Sequence, residues 1–145
     1  MHPAELHRRV SSAYRDAESP PPARQIVLLL DRAIRHLGEA RQAIQECRIE
    51  ARYQHVVKAH AIVAALQSCL DFERGGEIAR TLDRLYNHTL GRLMLINLRN
   101  DPAICEELRQ LLDRMRTGWA AIDAGEPAET APAPRLDPRA VPVCA

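Results

Sequence analysis

One run of apolar residues constrains the fold of this chain more than any other feature. Ile26, Leu30, Ala33, Leu37, Ala40, Ile44 and Cys47 are separated by four and three positions in strict alternation. Such a spacing keeps a single stripe on one side of an α-helix and presents it to a partner helix at a shallow left-handed crossing. Residues 23–47 therefore read as one long helix that needs other helices to bury its seam.

The following segments supply them. After a short polar link at 48–52, a second helix extends to about Phe72 and carries two overlapping registers: Ala59, Ile62, Leu66, Cys69 and Val56, Ala59, Val63, Leu66, Leu70. Its stripe is wider than one seam requires. At Arg74-Gly75-Gly76 the pattern breaks, and glycine is the residue expected just past a helix end because it enters the left-handed region without a Cβ clash. The reading is an αα-hairpin that reverses on these glycines and restarts at Glu77. The third helix carries Ile78, Leu82, Leu85, Thr89 and Ile96 and ends near Asn97–Asn100. Asp101-Pro102 then offers an N-cap and a proline suited to the first helical turn. The last helix carries Ile104, Leu108, Leu111, Met115 and Ile122, with Leu112 and Trp119 beside them; Trp119 and Tyr86 read as core.

The expected fold is all-α, an antiparallel four-helix bundle over residues 23–124. Residues 1–22, with a weak amphipathic pattern (Leu6, Val10, Ala13, Tyr14) ahead of Pro20-Pro21-Pro22, form an N-terminal helical or cap segment. Residues 125–145, rich in proline and alanine, read as a disordered tail.

Most chemistry is excluded by composition and spacing. The net charge of +1 and the 3% aromatic content provide neither the field nor the stacking platforms that nucleic-acid binding uses. No apolar run approaches the roughly 18–20 residues of a membrane span, and no signal-peptide core opens the chain, so a cytoplasmic protein without membrane insertion is expected. The four cysteines form no Cys-x-x-Cys pair, and Cys47, Cys69 and Cys105 read as small apolar helix residues. There is no Glu-x-x-His, no phosphate-binding glycine loop and no nucleophile context; the six histidines are scattered. Neither enzymatic activity, nor a cofactor, nor a metal site is expected.

What remains is apolar surplus. Leu28 points away from the first seam with Val27 and Leu29 beside it, Val57 is outward on the second helix, and Leu90, Leu93, Met94, Leu95, Ile96 and Leu98 nearly encircle the third. A bundle helix that is apolar outside its seam is either covered by another segment of its own chain or open to a partner.

The order and spacing of several elements resemble the flagellin export chaperone family, FliS, over about three quarters of the chain. They are Ala13-Tyr14, Gln25-Ile26-Val27-Leu28-Leu29-Leu30, Lys58-Ala59 with Ile62 and Leu66, Leu70-Asp71, and Gly75-Gly76-Glu77-Ile78-Ala79. They continue with Leu82, Leu85-Tyr86, Asn97, Asn100-Asp101 and Gly118-Trp119-Ala120. The chain departs from the pattern at Asp31, where the family commonly has an aromatic residue.

The resemblance implies a non-enzymatic helical bundle that binds the disordered C-terminal region of flagellin. Such a protein prevents early polymerisation of its client and serves the flagellar type III export gate. It also implies that the N-terminal segment, here Ala13 and Tyr14, covers part of the empty client groove. Read from outward and surplus apolar positions, the groove candidates are Ile26, Val27, Leu28, Leu29, Val57, Val63, Leu93 and Met94. The competing reading is a helical-bundle adaptor for a folded helical partner, without flagellin specificity.

Overall fold

The structure, a computed structural model, describes residues 23–125. The expectations for the N-terminal segment, including Ala13 and Tyr14, and for the tail beyond Gly125 fall outside these residues. The described residues form four helices: α1 (Ala23–Gln45), α2 (Ile49–Ser68), α3 (Phe72–Arg99) and α4 (Pro102–Asp123). α1 packs most extensively, against α4 and α2, and the ring closes through α2 on α3 and α3 on α4. With only residues 46–48, 69–71 and 100–101 between helices, each must run antiparallel to the one before it.

The seam of α1 is nearly as expected. Ala23, Ile26, Leu30, Ala33, Leu37, Ala40 and Ala43 are its buried residues, the alanines among them letting α2 and α4 approach. The end of the helix differs. Cys47 lies outside α1, exposed, with φ 58°. Its N–H bonds to Ile44 O (3.2 Å) and that of Arg48 to Ala43 O (2.8 Å). This pair of bonds defines a Schellman C-cap, with cysteine where glycine is usual. Cys47 is thus a turn residue rather than a seam residue. Cys105 is buried as expected, and Cys69 sits half-buried at the end of α2.

The α2–α3 reversal also differs from the glycine turn. The chain turns at residues 69–71, where Leu70 is buried and Asp71 caps α3 by accepting from the Glu73 and Arg74 amides at 3.0 and 3.1 Å. A single helical turn follows, closed by the Gly75 N–H donating to Asp71 O at 2.8 Å. Gly76, at the non-helical φ 50° and ψ −123°, then interrupts it, and the main run of α3 resumes at Glu77 as expected.

The far end is built as the sequence predicts. Asn100 stops α3 in the left-handed conformation (φ 52°), and Asp101 caps α4 through the Ala103 amide at 2.9 Å. The core contains Tyr86, Leu93, Ile96, Leu108 and Leu112, all fully buried, and Trp119 is buried near the end of α4. Thr89, also buried, donates its hydroxyl to Leu85 O at 2.9 Å, which satisfies a group that would otherwise be costly there. Asp31, at the position that departs from the family pattern, pairs with Arg116 across the α1–α4 seam.

Candidate functional site: two open apolar surfaces

Among the described residues, the exposed large apolar side chains are Leu28, Ile49, Tyr53, Val57, Phe72, Met94 and Leu98. Apart from Phe72, which starts α3 at the opposite end of the bundle from Leu98, they divide by position into a small patch on α1 and a longer face on α2 and α3.

The α1 patch follows from the seam. Leu28 lies opposite it, between Val27 and Leu29, which are half-buried against the core. A groove of about 570 Å³ opens here, lined by Gln25, Leu28, Leu29, Asp31, Arg32 and Arg35. Its floor is apolar and its rim charged.

The second face is fixed by a hydrogen-bonded clasp. Gln67, near the end of α2, donates to Asp83 Oδ1 (3.0 Å) and Asn87 Oδ1 (2.6 Å) on α3. These three residues identify the flanks along which the two helices meet. Stepping back from Gln67 by helical turns leads to His60, Val57, Tyr53 and Ile49; stepping forward from Asp83 and Asn87 leads to Leu90, Met94 and Leu98. Because the helices are antiparallel, the Ile49–Val57 row and the Met94–Leu98 row share the end of the bundle remote from the clasp. Arg52 ties that end by donating to Asn100 Oδ1 at 2.7 Å. The seam is therefore closed by polar side chains at the Gln67 end, while the other end, apart from the Arg52–Asn100 tie, exposes apolar side chains. Exposure reaches 60% at Met94 and 77% at Leu98, unusual for side chains adjacent along a helix.

The sequence-derived candidates divide three ways. Leu28, Val57 and Met94 are exposed, and Val27 and Leu29 are half-buried. Ile26, Val63 and Leu93 are fully buried, so in this structure they belong to the core and not to an open groove. Ile26 is part of the α1 seam itself. Val63 belongs to the second stripe of α2, which is needed because α2 has two neighbours, α1 and α3. Leu93 continues the α3 core row Tyr86, Thr89, Leu93, Ile96. Sequence reasoning missed Ile49 and Tyr53, which it assigned to or beside a polar link, and left out Leu98. The usable signal was the four-residue spacing of Ile49, Tyr53 and Val57.

What these surfaces can do is bury apolar side chains. Each Leu-sized side chain they take from water is worth about 1.5–3 kcal/mol. No helix of the described residues is long and apolar enough to cross a membrane.

The chain is similar to known proteins over most of its length. The family model described as flagellar protein FliS matches residues 8–126. A flagellar secretion chaperone of Pseudomonas aeruginosa is 38% identical over 101 residues, covering 70% of this chain and 80% of that protein. One of Salmonella typhimurium is 36% identical over 105 residues, covering 72% and 78%. A third, of Vibrio cholerae, is 30% identical over 101 residues, covering 70% and 74%. With the four-helix ring and a family match spanning most of the chain, the protein belongs to the flagellar protein FliS family.

Proposed function

We propose that this chain is a cytoplasmic export chaperone that binds the disordered C-terminal region of flagellin. It keeps the subunit from polymerising early and presents it to the flagellar type III export gate. The relatives' name, flagellar secretion chaperone, supports the export role. The observation that carries the client reading is the open apolar end of the α2–α3 seam, together with the Leu28 patch on α1. Two separate apolar surfaces suit an extended client that reaches around the bundle and forms helix where it meets a groove. The ordering cost of such a client is offset by a few buried Leu-sized contacts. In this reading the segment with Ala13 and Tyr14 yields its place to the client.

The test is calorimetric titration of the full chain with the C-terminal segment of flagellin from the same organism. One-to-one binding with a large negative heat-capacity change is expected, the signature of apolar burial coupled to client folding. Absence of binding by well-folded protein overturns the reading in favour of an adaptor for a folded helical partner.

A further inference from the structure

The α1–α2 seam brings together three side chains that are scattered in the sequence. His36 and Glu39 stand three apart on α1 and so share one flank. His55 faces them from α2, which runs back alongside after the turn at 46–48. His36 Nδ1 is 3.1 Å from His55 Nδ1, and His55 Nδ1 is 3.0 Å from Glu39 Oε2. One ligand atom from each residue lies within 4.8 Å of the other two. We propose that His36, Glu39 and His55 form a binding site for a divalent transition metal of the zinc type, which staples α1 to α2.

Without a cation, His55 Nδ1 is the shared partner of both His36 Nδ1 and Glu39 Oε2, and one ring N–H serves two acceptors only in part. A cation at the centre would accept a lone pair from each of the three.

Two of the three separations suit one. Zinc–nitrogen and zinc–oxygen bonds of about 2.0–2.2 Å in a tetrahedral site place neighbouring ligand atoms about 3.3–3.5 Å apart. His36–His55 and His55–Glu39, at 3.1 and 3.0 Å, are within a few tenths of an ångström of that. The third, His36–Glu39, is bounded at 4.8 Å and is adjusted by a rotation of the half-exposed Glu39 side chain. Two imidazoles and a carboxylate form a set that zinc accepts with water in the fourth position, whereas magnesium and calcium require mostly oxygen. Lys58 and Arg32 stand near His36 as cations. They oppose the metal and weaken the site, while the Glu39 charge offsets part of their effect.

The site does not rest on the client reading and is tested without a client. Thiols compete for zinc, so the probe is ZnCl2 titrated calorimetrically into the full chain carrying Cys47→Ser, Cys69→Ser and Cys144→Ser. The expected result is one Zn2+ per chain and an unfolding temperature that rises with zinc. Binding should weaken by about 100-fold or more in His36→Gln or His55→Gln, since even outer-shell losses cost about 10–100-fold. It should persist in His60→Gln and His88→Gln. Absence of zinc binding, or binding indifferent to His36 and His55, overturns the proposal. If the glutamine variants do not fold, mass-mapped diethyl pyrocarbonate modification of the serine-substituted chain decides. Zinc must slow modification at His36 and His55, and equal rates with and without zinc overturn the assignment.

Discussion

The side-chain amide of Gln67 on α2 donates to Asn87 Oδ1 on α3 at 2.6 Å, while also reaching Asp83 at 3.0 Å. This clasp closes the polar end of the α2–α3 seam, while the buried rows of the two helices fix their rotation so that Tyr53 and Met94 come out exposed rather than in the core. Substitutions along this seam should therefore have opposite consequences depending on which side of the flank they fall.

At the exposed positions the cost falls on binding. Tyr53→Glu, Met94→Glu and Leu28→Arg should each leave the unfolding temperature nearly unchanged, because surface substitutions usually stay within about 0.5 kcal/mol. The same variants should weaken calorimetric binding of the flagellin C-terminal segment by about tenfold or more, the loss of one buried side chain. Leu93→Ala, one residue from Met94 but fully buried, should instead cost about 2–5 kcal/mol of stability in a denaturant melt. A large stability loss in Leu28→Arg would place that side chain in the core.

How much of this was legible without coordinates follows from what each signal encodes. The four-and-three spacing of α1 identified a helix and its buried face because burial and periodicity are the same fact there. The outer surface was less legible because a count of surplus apolar residues does not say how many neighbours a helix has. α2 packs on both α1 and α3, so its second stripe, including Val63, was needed for the core. Ile49 and Tyr53 were hidden for the opposite reason: α2 begins at Ile49, inside what composition marked as a link.

Gly76 makes a backbone prediction. At φ 50° and ψ −123° it occupies a conformation that side chains rarely adopt, yet a Cβ there would meet nothing within 4 Å. Gly76→Ala should therefore be destabilising through backbone strain alone, by about 1–3 kcal/mol. Gly91, which is exposed inside α3 and also has open space at its Cβ, should gain up to about 1 kcal/mol on replacement by alanine. Chemical denaturation of the two variants side by side separates strain from propensity.

Cys47 makes the converse prediction. It holds the left-handed cap position of α1 at φ 58°, where an L-residue with a Cβ costs about 1–2 kcal/mol. Cys47→Gly should stabilise the bundle by about 1 kcal/mol after allowing for the extra freedom of glycine in the unfolded chain. In thermal unfolding this corresponds to a rise of about 4–8 °C for a domain of this size.

His88 makes the fold sensitive to acid. Desolvation lowers its pKa from the ordinary 6.5, partly countered by Glu107 and assisted by Arg92. A histidine with a lowered folded pKa binds fewer protons folded than unfolded just below 6.5. Its contribution is complete above that value and is lost as pH falls towards and through the lower folded pKa. Stability measured by urea titration should decline between pH 7 and pH 5, and His88→Gln should make that decline shallower. An unchanged slope in His88→Gln would mean that the proton uptake lies elsewhere.

The thiols should separate by environment. Burial raises the Cys105 thiol to about 11, so at pH 8 only about one molecule in a thousand carries the reactive thiolate, and its sulfur lies inside the core. Cys47 is exposed on its turn. Thiol labelling of the native chain at pH 8, mapped by mass spectrometry, should modify Cys47 within the first phase and leave Cys105 untouched until denaturant opens the bundle. Because Cys105 reacts only through opening, its labelling rate at rising urea should follow global stability. The rate should increase in Gly76→Ala and decrease in Cys47→Gly, which ties the two backbone predictions to one readout. Fast native labelling of Cys105 would mean that α4 opens locally, without the rest of the bundle.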